Sequence, residues 1–333
     1  MSHPLRQPAR RRALRQLAGM TLTAALLGPR LARAQLGEKA IRFVLPNATA
    51  SGVDTITRAA QPALSKALGH PIVVENQPGA GGIIGISTLV KPPPDGYTLS
   101  IVSNNHVIYP SVYKSVPFDP IADITPIAIV GTTPIVLVVN PSKLPVKTVP
   151  ELVALLKSKP SQYNYGSSGN GTILHLATEL FVQEAGVSAK HVPYKGVGPM
   201  LTDLLGGQVD FGTLSLPSIQ QHLKSGGLRA VGVTGAMRTK AAPEIPTVAE
   251  QGMSNYIVDA WFAVIGPKGL PAADVKRIHD GFVTAFNSPE VVDAMTKQGN
   301  LINISTPEYA AQFFRSELAK YAKIVKAAGL EPQ

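Results

Sequence analysis

Ile41-Arg42-Phe43-Val44-Leu45-Pro46-Asn47-Ala48-Thr49-Ala50-Ser51-Gly52-Val53-Asp54 joins an aliphatic run to a loop of small polar residues and then to a segment with helical spacing. Across 53–68, Ile56, Ala60, Ala63, Leu64 and Ala67 share one helical face, and Gly69 stands where a left-handed glycine ends a helix. Pro62 within it predicts a kink. The succession of strand, loop and helix recurs down the chain. Strands are expected at 41–45, 72–75, 98–102, 127–130, 135–140, 163–165, 191–193, 209–211, 229–234 and 260–266. Helices are expected at 149–158, from about Gly171, at 272–287, at 289–298 and at 307–328, with Thr148 and Thr306 as caps. Such alternation predicts an α/β fold of parallel sheets covered by helices.

The first 34 residues are of another kind. They carry seven arginines (Arg6, Arg10, Arg11, Arg12, Arg15, Arg30, Arg33), no carboxylate, an apolar run from Leu17 to Leu27, Gly28-Pro29, and the small-residue triplet Ala32-Arg33-Ala34. This is the pattern of a secretory signal peptide cleaved before Gln35, hence of export. Arg11-Arg12-Ala13-Leu14-Arg15 fits a twin-arginine signal as well as a Sec signal. The chain has 31 Lys and Arg against 21 Asp and Glu; without the seven leader arginines the balance is 24 against 21, a net charge of +3. The apparent basicity therefore belongs to the leader, and no nucleic-acid partner is expected. No cysteine is present, so neither a disulfide nor a lipid-modified N-terminal Cys is available. About 300 mature residues are more than one core usually serves, and two domains are expected.

Three strand-to-helix loops share one design. They are Pro46 to Asp54, Ser103-Asn104-Asn105-His106, and Tyr163 to Thr172, which reads Tyr-Asn-Tyr-Gly-Ser-Ser-Gly-Asn-Gly-Thr. Each puts main-chain N–H groups and the positive end of a helix at the carboxyl edge of a sheet, where α/β proteins bind anions. Taken singly, each is also what an ordinary turn looks like. Gly79-Ala80-Gly81-Gly82-Ile83-Ile84-Gly85 also follows a strand, but Ile84 occupies the position where a dinucleotide fingerprint needs glycine. Close packing of helix on sheet is the better account, and no cofactor is expected. G-x-S-x-G, Walker and H-E-x-x-H patterns are absent, and His70, His106, His175, His191, His222 and His279 lack metal-ligand spacing, so neither a catalytic nor a metal site is expected. His175, three residues after Thr172, either helps position a ligand or is a packed histidine. Trp261 reads as core or hinge packing.

Several segments, in order, resemble the receptor family of tripartite tricarboxylate transporters, also called the Bug family. They are Glu75-Asn76-Gln77-Pro78-Gly79-Ala80-Gly81-Gly82, Pro94-Asp95-Gly96-Tyr97-Thr98-Leu99, and Asn164-Tyr165-Gly166-Ser167 through His175-Leu176. His191-Val192-Pro193-Tyr194-Lys195-Gly196, Asp203 through Asp210, and Pro246 through Gly252 complete the series. The resemblance implies a type II periplasmic-binding-protein fold: two α/β lobes, two chain crossings, and a small carboxylate between the lobes. It implies lobe one at 35–138 and 257–333, lobe two at 139–256, and hinges near Val139 to Pro141 and Tyr256 to Asp259. It also implies a monomeric, non-enzymatic periplasmic receptor that serves the membrane subunits of a transporter. Carried over position by position, the ligand contacts are Asn47, Ala48, Thr49, Ser51 and Asp54 on one side and Ser167, Ser168, Asn170, Gly171 and Thr172 on the other, with Ser103 and Asn104 as walls and His175 nearby.

Two departures from the family pattern bear on the ligand. Ala50-Ser51-Gly52 replaces a Pro-Gly-Gly core, and Phe211-Gly212-Thr213-Leu214-Ser215-Leu216 lacks the acidic residue usual after Val209-Asp210. A site without that carboxylate favours a plain mono- or dicarboxylate over an amino acid. A receptor partnered with a sensor kinase would share these features, and a hydrolase using Ser167, Ser168 and His175 is the remote alternative.

Overall fold

The computed structural model describes residues 39–327, 329, 330 and 332. The leader expected over 1–34 lies outside them. Among the described residues no helix is long and apolar enough to cross a membrane.

Two sheets organise the described residues from Ala40 onward, which form one compact unit. The first contains β1 (Ile41–Leu45), β2 (Ile72–Asn76), β3 (Thr98–Ser103), β4 (Ile124–Thr133), β10 (Ala260–Pro267) and β11 (Leu301–Ile302), in the order β11-β4-β10-β3-β1-β2. The second contains β5 (Ile135–Val139), β6 (Asn164–Ser167), β7 (Lys190–Pro193), β8 (Phe211–Ser215) and β9 (Arg229–Val233), in the order β7-β6-β8-β5-β9. Within the first, β1 runs parallel to β2 and β3; within the second, β6 runs parallel to β7 and β8. A helix follows each strand of both trios. These helices are α1 (Gly52–Leu68), α2 (Ile83–Leu89) and α3 (Asn105–Val112) in the first half, and α5 (Ile173–Glu184), α6 (Val197–Leu205) and α7 (Leu216–Lys224) in the second, with α4 (Val149–Ser158) between. The chain ends with α8 (Ala272–Phe286), α9 (Pro289–Gln298) and α10 (Pro307–Ala327).

The helices form where apolar spacing and caps agree. Ser51 accepts the Asp54 N–H at 3.2 Å to open α1, and Gly69, at φ 70°, closes it without the Cβ penalty of a left-handed residue. Thr148 and Thr306 cap α4 and α10 by accepting N–H groups at 3.3 and 3.2 Å. β10 lies between β3 and β4 and is buried throughout. Phe262 and Val264 face a core shared with Ile56, Leu64, Phe282 and Phe286, while Trp261, Ala263 and Ile265 face another with Phe314 and Tyr321. Trp261 stacks edge-on against Phe313 and Phe314 and donates its indole N–H to Glu317 at 2.8 Å, which makes it a core residue.

Two expectations need correction. The first passage between sheets is at Pro134, between β4 and β5, and not at Val139 to Pro141. Ile135 to Val139 are five consecutive buried residues paired with both β8 and β9, and the Asn140 amide donates to Leu204 O at 2.8 Å, so this stretch is fixed inside the second sheet's half. Residues 135–138 therefore leave the first-lobe span expected for them. The strand expected at 209–211 starts only at Phe211, because the Asp210 carboxylate turns back to accept the Asn164 N–H at 2.7 Å. β11, α2, α3, α6 and α7 are too short, or too evenly apolar, to stand out in the sequence.

Candidate functional site

Parallel pairing places the loops after β1, β2 and β3 at the carboxyl edge of one sheet and those after β6, β7 and β8 at the carboxyl edge of the other. These two edges meet around a cleft of about 240 Å³. Pro46, Asn47, Ala48 and Ser51 line it from the β1 loop and Gly79 to Gly81 from the β2 loop. Ser168, Gly169, Asn170 and Thr172 face them from the β6 loop, and Tyr194 to Gly196 from the β7 loop. A smaller recess of about 50 Å³ continues inward, between Ser51, Gly52, Val53, Ser103, Thr133, Ser168, Ser215 and Trp261. Ser51 and Ser168 thus border the same two spaces from opposite sheets.

The recess is rich in uncommitted polar groups. The N–H groups of Gly52 and Val53, the first two donors of α1, have no acceptor among the described residues. The side-chain oxygens of Asn47 and Thr133 are buried without a hydrogen-bond partner. Unpaired buried polar groups cost about 1–3 kcal/mol each, so a site that collects several favours a polar guest. No acidic residue lines either space. Among the described residues, no three His, Cys, Asp or Glu gather as a metal site.

The halves touch through residues without bulk. A Cβ at Gly171 (φ 67°) would lie 2.2 Å from Val112 Cγ2, one at Gly196 (φ 119°) 2.5 Å from Ala48 Cβ, and one at Gly52 3.0 Å from Ser215 Oγ. Hydrogen bonds span the same seam. Asn105 Oδ1 accepts the Ile173 N–H at 2.8 Å, the Tyr113 hydroxyl donates to Asn170 O at 3.1 Å, and the Ser218 hydroxyl donates to Ala50 O at 2.8 Å. The arrangement is that of a closed cleft.

The residues picked from sequence separate into two groups. Asn47, Ala48, Ser51, Ser168, Asn170 and Thr172 line the outer cleft, and Ser103 the recess. Thr49 does not line either space. Asp54 is already engaged, accepting from Ala50 N at 3.0 Å, Arg58 Nε at 2.8 Å and Asn76 Nδ2 at 2.9 Å, so it shapes the loop and does not face the cleft. Asn104 is fully buried and turned toward the second chain crossing, where it donates to Tyr321 Oη at 2.6 Å and Asp259 O at 3.2 Å and accepts from Trp261 N at 3.0 Å. Gly171 serves as a contact between halves and does not line the cleft.

Ser167 and His175 lie behind the β6 loop. His175 stacks on His191 at a centroid distance of 3.9 Å, with Tyr165 beyond, and its Nδ1 accepts the Gly171 N–H at 3.1 Å. Ser167 bonds His191 Nε2 at 2.6 Å and accepts the Gly169 N–H at 3.2 Å. The paired imidazoles thereby hold the two glycines that shape the loop. Burial pushes His175 down to about 3, helped by the adjoining His191, and pushes His191 down to about 4, so both rings are neutral near pH 7.

Asn105, Tyr113, Thr133, Ser215 and the Tyr194-Lys195-Gly196 turn are cleft residues that the sequence reading missed. Tyr194 to Gly196 had a usable signal, since they follow a strand and precede a helix like the loops that were found. Thr133 and Ser215 end strands and become wall residues only through the sheet order.

Residues 56–330 match the tripartite tricarboxylate transporter family receptor. Protein BugT of Bordetella pertussis is 34% identical over 291 residues, covering 87% of this chain and 89% of that one. The solved structure of periplasmic binding protein BugD is similar at a TM-score of 0.84, with 28% identity over 88% of this chain and 99% of that one. An R. palustris protein solved with adipate is 31% identical, with a TM-score of 0.85 over 90% of this chain and 99% of that one.

Proposed function

We propose that this chain, which belongs to the tripartite tricarboxylate transporter receptor family, captures a small carboxylate between its two lobes in the periplasm and presents it, as a monomer, to transporter membrane subunits. The observation that carries this reading is a closed seam, bordered by Ser51 on one side and Ser168 on the other, that encloses unpaired amides and no acidic side chain. One carboxylate of the ligand accepts from Gly52 and Val53 N–H and from the hydroxyls of Ser51 and Thr133, beside Ser168, whose own hydroxyl donates to Thr172 Oγ1 at 3.1 Å. Directed N–H and O–H donors near the positive end of α1 hold such an anion without a dedicated arginine. Adipate in the R. palustris relative is a ligand of this class.

The lobes are residues 40–133 with 260–327, and 135–256, with hinges at Pro134 and at 257–259. Opening about these two crossings exposes the loops; closure brings Gly171 onto Val112 and Asn105 onto Ile173. An amino acid would bring an ammonium group into a space that offers it no carboxylate. Thermal melting against a panel of acids tests the reading. A ligand at a hundred times its Kd adds about 2.7 kcal/mol, so plain carboxylates should raise the melting temperature by several degrees while glutamate and aspartate leave it unchanged. Stabilisation by the amino acids alone would reject it.

A further inference from the structure

We infer that Lys195 selects ligands that carry a second carboxylate. This inference rests on the carboxylate reading above and refines it. Of all the residues lining the cleft and its inner recess, Lys195 alone has a charged side chain. It is exposed, and it forms no ion pair with any described residue. The nearest carboxylate along this part of the chain is engaged elsewhere: Asp203 accepts the Tyr194 hydroxyl at 2.8 Å.

The main chain that carries Lys195 is nevertheless well fixed. Tyr194 N donates to Ser167 O at 3.0 Å, and Gly196 lies against Ala48 of the opposite lobe so closely that a Cβ has no room. A pinned backbone thus sets Lys195, which has no ion-pair partner among the described residues, in the lining of a cleft whose inner recess is uncharged and rich in donors. A monoacid satisfies only the inner end. A diacid long enough to span the cleft places its far carboxylate beside Lys195, where a solvent-exposed pair contributes about fivefold in affinity, reduced by salt.

Isothermal titration of the mature protein with matched acids tests this: succinate against butyrate, glutarate against pentanoate, and adipate against hexanoate, at low and high salt. At least one diacid should bind about fivefold more tightly than its monoacid partner at low salt, and the gap should narrow at high salt. Lys195→Gln should abolish the gap by weakening the diacid while leaving the monoacid unchanged, and Lys195→Arg should retain it. Equal binding of every matched pair by the unaltered protein would overturn the inference while sparing the carboxylate reading. So would a Lys195→Gln variant that weakens both acids equally, or neither. Failure of all six acids to bind would remove the underlying reading, and the inference with it.

Discussion

Gly171→Ala should separate stability from binding. At φ 67° the new residue is left-handed, which costs about 1–2 kcal/mol in open and closed protein alike and lowers the melting temperature of the free protein by a few degrees. The second effect exists only in the closed form. There the new Cβ would lie 2.2 Å from Val112 Cγ2 and 2.8 Å from Val112 Cβ. Because α3 and the β6 loop belong to opposite halves, the overlap is met only on closure, and relieving it costs about 1–3 kcal/mol. The dissociation constant for any stabilising acid should therefore rise roughly 5- to 150-fold. Val112→Ala removes the closer atom but leaves the overlap at 2.8 Å, so the double variant should recover part of the affinity and none of the lost stability. Titration calorimetry of the four proteins in a double-mutant cycle checks this. An affinity loss under about twofold, or the same loss in both backgrounds, refutes the role given to this contact.

Asn105→Ala leaves the Ile173 N–H without its acceptor at the seam, a penalty of about 1–3 kcal/mol that acts against closure. Small-angle scattering of the ligand-free protein should show a larger radius of gyration for this variant and an unchanged one for Asn105→Asp, which keeps the oxygen. His106, His175 and His191 are held neutral by burial, with values of about 4, 3 and 4. Their folded values lie below the unfolded value near 6.5, so the unfolded chain binds the extra protons as pH falls. Stability should be full above pH 6.5 and decline toward pH 4 by about 1.4 kcal/mol per pH unit for each ring, as urea denaturation at pH 7 and pH 5 would reveal; His175→Gln should make that slope shallower. Ala50, at φ 63°, bears a left-handed cost of about 1–2 kcal/mol that Ala50→Gly removes, against roughly 0.4–1 kcal/mol of added unfolded-state entropy. A net gain of about 1 kcal/mol or less should appear as a small rise in melting temperature.

The fold class was legible because strands, Gly-Ser loops and capped helices alternate with a period that admits few architectures. Pro289–Gln298 and Ile41–Leu45 have the bounds expected of them, since local chemistry marks their ends: Pro289 and Gly299 for the helix, Pro46 for the strand. The line of cleft loops could be drawn from the same rule, that a parallel strand presents its following loop at the carboxyl edge. That rule says where a loop goes and is silent on where each of its side chains points. Asp54 and Asn104 have suitable chemistry in suitable loops, yet Asp54 bonds its own loop and Arg58, while Asn104 faces Tyr321, a residue 217 positions away.

Contacts of that range are invisible to local pattern. Pairing of β5 with β8 and β9 moved the first crossing to Pro134, and Val112 against Gly171 gave a turn glycine a second duty. From its residues alone the chain determined its alternating elements and its lack of a chemical nucleophile pattern. Which polar groups are left unpaired, and hence available to a guest, depends on what the fold brings beside each one, and only the tertiary structure decides that.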